Sequence, residues 1–139
     1  MCLLDEVIEW DAVHIRCRSG THRWPDHPLR SHDRLGVACG IEYVAQSMAV
    51  HGALAGIALT GGTVGEIARS EIGFLAGLRD VRLHVAQLDD IADDLIAEAH
   101  LIAGDHGSAL YEFALTSVSQ RLLSGRATVV FDANKRFNL

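Results

Sequence analysis

The sequence predicts an α+β domain in which a curved antiparallel sheet wraps around one long central helix. Two observations carry that prediction. From Gly36 to Gly52 the chain holds a single charged side chain and repeats apolar residues at Val37, Ile41, Val44 and Met48, the four-three-four spacing of one helix face. Its other sides are Ala, Cys, Gly, Val and Tyr, so the helix is apolar nearly all round and is expected to be buried. On either side of it the chain carries runs of alternating apolar and polar residues, the period of half-buried strands. A sheet with one apolar face must cover it, and this helix is the candidate.

Taken in order, Leu3 to Ile8 and Ala12 to Cys17 read as strands, with Trp10-Asp11 as the turn between them. In the second, Val13, Ile15 and Cys17 alternate with His14, Arg16 and Arg18. Ser19 to Arg34 is polar, holds both prolines and His22, His27 and His32, and reads as a loop rich in reactive side chains. The helix then ends near His51-Gly52. Ala53 to Ser70 is small and glycine-rich, a connection with room for a short helical turn. Four strands follow: Val81 to Val85, beginning as early as Gly73; Leu95 to Ala103; Ala109 to Val118; and Arg126 to Phe131. Gly104 to Gly107 and Ser124-Gly125 read as the turns between the later ones. Asp132 to Leu139 is expected to be a loosely held tail. No internal repeat or second domain is evident, so residues 1–139 are read as one domain.

Composition narrows the function. At 139 residues and 49% apolar, the chain suits one proper core. No apolar run reaches the ~20 residues of a membrane span, and no basic and apolar leader opens the chain. Cys2, Cys17 and Cys39 are odd in number and lack CxxC spacing, which predicts reduced thiols and a cytoplasmic setting. A net charge of −6, with Lys135 the only lysine, excludes nucleic acid as the expected partner. His22, His27 and His32 recur every five residues, but no cysteine or carboxylate completes a metal pattern, so no metal or cofactor is expected.

The single charge inside the helix is Glu42, with Gln46 one turn further along the same face. A carboxylate in an apolar helix costs several kcal/mol unless it is compensated, which makes Glu42 the candidate acid–base group. The plainer alternatives are a carboxylate at the helix's solvent edge or one paired with an arginine. Gln46 reads as a buried amide holding Glu42 or a neighbouring backbone group. His51 is expected to face elsewhere and pack with Ser47, and the acidic cluster Asp89-Asp90 and Asp93-Asp94 to be a solvated turn. Gly61-Gly62-Thr63-Val64-Gly65 lacks the Lys-Ser/Thr of a phosphate loop.

Several segments resemble the hotdog-fold 3-hydroxyacyl-[acyl-carrier-protein] dehydratases of the FabZ/FabA type. Leu3-Leu4-Asp5-Glu6-Val7 is similar to that family's LLVDRV-like opening strand. Glu42-Tyr43-Val44-Ala45-Gln46 is similar to its EAMAQ helix segment, whose acid is catalytic. Phe74-Leu75-Ala76-Gly77-Leu78 resembles the strand after the helix, and Leu110 to Phe131 the last hairpin. His27-Pro28-Leu29-Arg30 with Gly40-Ile41-Glu42-Tyr43 is closer still to the dehydratase-like proteins of aryl-polyene and related polyketide pathways.

The resemblance implies a hotdog homodimer, or a heterodimer or higher assembly. It further implies an acyl carrier protein with a phosphopantetheine-linked substrate as partner. The family's histidine opens an HFPxxPxxPG motif nine residues ahead of its glycine. His27 stands nine residues ahead of Gly36, and Gly36-Val37 take the place of the family's Gly-Val at the helix start. The later prolines are absent, and one extra residue separates this glycine from Glu42. A second alignment puts His32 in the histidine's place, and a third leaves none. The family's segment before the opening strand has no counterpart, so one wall of the tunnel is expected to be lost or supplied differently.

Dehydration needs a proton taken from the α-carbon and one delivered to the departing hydroxyl. A neutral imidazole suits the first task, and a carboxylic acid whose neutral form burial favours suits the second. The expected site is therefore Glu42 and His27 (or His32), with Gly36, Val37, Gln46, Phe74 and Gly77 lining the acyl tunnel. Unpaired N–H groups of Gly36 to Ala38 would face the thioester oxygen. Arg30, Arg79 and Arg82 are loose candidates for the carrier and its arm. A hotdog thioesterase and a catalytically silent partner subunit are the rival readings.

Overall fold

The structure, a computed structural model, describes residues 2–60, 73–105, 107–118 and 120–131, with the side chains of 56–60, 73–74 and 131 left aside. The glycine-rich segment 61–65, the tail 132–139 and His106 lie outside the described residues. Six strands form one antiparallel sheet: β1 (Glu6–Trp10), β2 (His14–Ser19), β3 (Gly73–Leu83), β4 (Leu95–Gly104), β5 (Ser108–Ser117) and β6 (Gln120–Phe131). Their spatial order is β1-β2-β4-β5-β6-β3, so β1 and β3 are the two edges. One helix, α1 (Gly40–Thr60), packs across β2, β4 and β5. This is the hotdog arrangement expected from the sequence. Among the described residues no helix is long and apolar enough to cross a membrane.

The period-two pattern decides which side chains meet the helix. Ile15 and Cys17 on β2, Ala97 and Ala99 on β4, and Tyr111, Phe113 and Leu115 on β5 are buried with Tyr43, Val44 and Met48 of α1. Register places Cys17 opposite Ala97 and Ile15 opposite Ala99, so the alanines alternate with larger residues and let the helix sit close. Gly40 opens α1 against the sheet; a Cβ there would lie 2.5 Å from Leu123 Cδ2 and 2.7 Å from Leu115 Cδ2. Burial pushes the Cys17 thiol up to about 11, so this cysteine is an inert core residue.

Several element boundaries depart from expectation. The first strand runs Glu6–Trp10 because Leu3 leaves the ladder to bond the helix and the loop. The second runs His14–Ser19, and the turn falls at Asp11 to Val13, where the Val13 N–H donates to Asp11 Oδ1 at 2.9 Å. The helix continues past Gly52 to Thr60: one interior glycine costs about 1 kcal/mol, and Ala53-Leu54-Ala55 propagate well beyond it. Ser124-Gly125 is no turn but the middle of β6, opposite Ala114 and Phe113. Gly125 is there for space. A Cβ would meet Phe113 Cζ at 2.9 Å and Val81 Cα and Arg79 O at 3.2 Å, the latter two on the paired strand β3. That close approach coincides with a bulge between Arg79 and Arg82, at which Asp80 takes a left-handed φ of 55°.

The acidic cluster does more than face water. Asp89 accepts the Leu35 N–H at 2.9 Å and Arg34 Nε–H at 2.8 Å. Burial acts upward on this carboxyl, but those bonds outweigh it and hold it below the usual range. Asp94 accepts from Arg18 at 2.9 Å and Arg23 at 2.6 Å, and these two guanidinium groups hold its carboxyl low as well. The pair ties the long 20–35 loop to the segment leading into β4.

Candidate active site

Glu42 lies in the first turn of α1 and is half-buried, less enclosed than the apolar run around it suggests. Its Oε1 accepts the Gln46 Nε2–H at 3.0 Å, the i,i+4 contact expected of that pair. Gln46 Oε1 in turn accepts the Leu3 N–H at 2.8 Å. Leu3 is thereby a keystone: fully buried, bonded through its N–H to the helix and through its carbonyl to Ser19 Oγ and Thr21 Oγ1.

His27 is buried against the neighbouring residue of the helix, Tyr43. Its Nε2 lies 3.1 Å from Tyr43 Oη, and the Leu29 N–H donates to its Nδ1 at 3.1 Å. Tyr43 Oη lies 2.7 Å from Thr21 Oγ1. Burial lowers the His27 pKa, with Arg30 adding in the same direction, and burial raises that of Tyr43. His32 stands apart, exposed on the Ser31–Arg34 turn with a left-handed φ of 52°. The structure thus separates the two histidine candidates by position: only His27 reaches the helix.

Consecutive helix residues project about 100° apart, so Glu42 and the Tyr43–His27 pair occupy different sides of α1. Within one chain the two expected partners do not face each other across one side of the helix. The space between α1 and the sheet, expected as a tunnel, is filled in the single chain by the core side chains named above.

The remaining expected residues are placed as follows. Gly36 and Val37 precede α1 in an extended residue and a single 3-10 turn, Val37–Cys39, and helix geometry begins only at Gly40. The Val37 N–H donates to Ala86 O at 3.0 Å, so it is not an unpaired donor for a thioester oxygen as expected. Gly36 bridges Gln87, and a Cβ on Gly36 or on Gly77 would find no atom within 4 Å, leaving open room beside both. Phe74 lies on β3 opposite Val130. Arg30 is committed to the loop, donating Nε–H to the Trp24 carbonyl at 2.8 Å and Nη1–H to that of Asp33 at 2.9 Å. Arg79 and Arg82 are exposed on β3.

Sequence reasoning missed four contributors. Thr21 and Ser19 anchor the His27 network, and no local pattern announces them. Tyr43 could have been found, because a tyrosine within a charge-poor helix needs a partner for its hydroxyl. The fourth is His51. It is buried with Nδ1 2.7 Å from Tyr111 Oη and Nε2 2.9 Å from the Asp11 carbonyl. A separate cleft of about 570 Å³ opens on the outer face of the sheet, lined by His14, Glu98, His100, Glu112, Arg121 and Arg126 among others. Arg82, one of the candidates for the carrier and its arm, also lines it, whereas the expected catalytic and tunnel residues do not. Among the described residues no group of three His, Cys, Asp or Glu side chains is placed to hold a metal.

Known structures share this fold across nearly the whole chain. A chain of the dehydratase heterocomplex ApeI:P from Xenorhabdus doucetiae matches with a TM-score of 0.73 at 20% identity, covering 99% of this chain and 87% of that one. A thioesterase from Streptococcus pneumoniae TIGR4 described as hypothetical, solved with coenzyme A, matches at 0.62 and 9% identity, covering 91% and 87%. The thioesterase HI1161 from Haemophilus influenzae matches at 0.61 and 8% identity, covering 91% and 76%. At these identities the likeness establishes the hotdog fold alone. No curated protein matches the chain significantly. The family model for ApeP-like proteins, described as ApeP dehydratase, matches residues 1–137, and the chain belongs to that family.

Proposed function

We propose that the protein dehydrates a 3-hydroxyacyl thioester, carried on an acyl carrier protein, to the trans-2-enoyl thioester. The observation that carries the reading is Glu42. In a chain of a dehydratase family, the one carboxylate of the central helix is half-buried and fixed by Gln46, whose amide is itself tied to Leu3. Glu42 serves as the acid–base group and His27 as the imidazole that works with it. Gly36, Val37, Gln46, Phe74 and Gly77 line the substrate's path, and the open room beside Gly36 and Gly77 supports their place in it.

A second subunit completes the site. Edge strand β3 is eleven residues long and exposes Leu75, Leu78, Val81 and Leu83, a long apolar edge of the kind that pairs with another chain. Within a single protomer Glu42 and the His27 loop lie on different sides of α1, which is what calls for a second chain. The partner is a second copy or, by analogy with the ApeI:P heterocomplex, a related dehydratase chain. On this reading the protein works in the cytoplasm on fatty-acid or polyketide-type intermediates.

Mass spectrometry of a carrier-bound 3-hydroxyacyl substrate after incubation tests the proposal. Loss of one water is expected, and Glu42→Gln should reduce turnover by at least ~10³-fold, the scale for removing an essential acid–base group. Normal turnover in that variant overturns the assignment. Free thiol without a change in unsaturation would instead identify a thioesterase.

A further inference from the structure

We propose that the cleft on the outer face of the sheet is a binding site for a small phosphorylated sugar or polyol, separate from the acyl path. Its shape follows from register. Glu98 on β4 lies opposite Ala114 on β5, Ala114 opposite Ser124 on β6, and Ser124 opposite Arg82 on β3. The neighbouring rung runs from His14 through His100 and Glu112 to Arg126. Directly opposed side chains share a face, so two small residues form a floor between long charged ones, and about 570 Å³ stays open above it. The period-two pattern turns these residues away from α1: Ala97, Ala99, Phe113 and Leu115, which alternate with them, are the ones buried in the core. The sheet itself therefore stands between this cleft and the helix side, where the acyl chain is expected.

The charges indicate what the cleft holds. The chain carries a net charge of −6, so an arginine without an acid beside it is the exception. Among the described residues, the arginines of β2 and of the 20–35 loop each meet a carboxylate at ion-pair distance, whereas Arg79, Arg82 and Arg121 meet none. All three lie on the paired strands β3 and β6, and Arg82 and Arg121 line the cleft. Two of the cleft's acids already have cationic or imidazole neighbours. Glu98 Oε1 is 3.4 Å from His14 Nε2 and 3.8 Å from Arg16 Nε, and Glu112 Oε2 is 3.7 Å from Arg126 Nε. Asp80, at the β3 bulge, has no such neighbour and is the one acid that opposes an anion there.

Two acid-free guanidinium groups in one cleft, with Arg126 only loosely held beside them, suit a dianion with several acceptor oxygens better than a lone carboxylate. A phosphomonoester has that charge and those oxygens. The Ser124 hydroxyl on the floor supplies a further donor. On the opposite wall Glu98 and Glu112 can only accept, which a body bearing hydroxyl groups satisfies. The volume exceeds that of a bare phosphate and lies in the range of small-molecule sites.

Titrating the ¹⁵N-histidine-labelled full chain with ribose 5-phosphate, ribose and inorganic phosphate tests the site, with NMR reading its place and calorimetry its affinity. Ribose 5-phosphate should bind with a Kd of about 1 mM or tighter. It should move the ring signals of His14 and His100 and leave those of His27 in place. Inorganic phosphate should bind about threefold or more weakly, for want of the hydroxyl contacts, and ribose not measurably. Arg82→Gln and Arg121→Gln should each weaken ribose 5-phosphate about tenfold. Asp80→Asn should tighten it about threefold by removing the opposing charge. All three side chains are exposed, and asparagine suits the left-handed backbone at 80, so the fold is not at stake. No binding of ribose 5-phosphate below about 10 mM overturns the proposal, as do equal affinity for ribose, shifts centred on His27, or arginine variants that bind like the parent. Cleft shifts caused by an acidic carrier protein but by none of the three ligands would also overturn it and make the cleft a protein-docking face. None of these readings depends on turnover.

Discussion

Two buried histidine–tyrosine pairs sit on the central helix, and they are wired in opposite directions. At the start of α1, His27 takes a backbone N–H at Nδ1 and gives its Nε2 proton to Tyr43. Two turns on, His51 gives its Nε2 proton to the Asp11 carbonyl and takes the Tyr111 hydroxyl proton at Nδ1. The same two side chains thus form a donor histidine in one place and an acceptor histidine in the other. What differs is the backbone group each ring meets first: an N–H in a polar loop, a carbonyl in a hairpin turn. His51 clamps the β1–β2 turn to α1 and β5, and burial carries the Tyr111 phenol up to about 12. The His27 pair holds the 20–35 loop beside the residues proposed to do chemistry.

Removing the hydroxyls is the strongest way to break this comparison. Tyr43→Phe strips an acceptor from His27 and a donor from Thr21, and should cost about 2–3 kcal/mol by urea denaturation. Tyr111→Phe orphans only the His51 Nδ1 and should cost about 1–2 kcal/mol. The two pairs are about 12 Å apart along the helix and share no partner, so the double variant should be additive within ~0.5 kcal/mol. Equal single costs, or strong coupling, would mean that the networks are not wired as described.

Acid sharpens it next. Burial lowers the pKa of His27, His51 and His22 below 6.5 in the folded state. The unfolded chain therefore binds protons that the folded chain refuses. Stability should be complete above pH 6.5 and decline as pH falls below it, by up to ~1.4 kcal/mol per pH unit for each histidine, until its folded pKa is reached. A flat unfolding free energy between pH 7 and 5 would contradict the neutral rings drawn here.

The smallest effect is expected at His32. Exposed on its turn, it should tolerate His32→Asn within ~0.5 kcal/mol in denaturation and leave dehydratase turnover unchanged. A large loss of turnover would return the alternative histidine to the site.

Much of the fold was legible because it is written in periodicity. Val37, Val44 and Met48 are buried as their spacing required, and Ile15 and Cys17 alternate inward as a half-buried strand should. The Glu42–Gln46 contact follows from helix geometry alone. The misjudged places share a cause. Gly52 and Gly125 read as punctuation, yet one lies inside a helix that its neighbours sustain and the other yields space to the bulge of the paired strand β3.

The chain's own pattern of apolar spacing, with one acid in an otherwise uncharged helix, determined the wrapped-helix architecture and singled out Glu42. These signals are local, since 3.6- and two-residue periods are properties of the backbone. Only the tertiary structure decided which histidine meets the helix, which way its proton points, and that the Asp89 and Asp94 carboxylates hold the loop in place. Each depends on groups 16 to 76 residues apart meeting at hydrogen-bond distance, and no local pattern encodes the position of a distant donor.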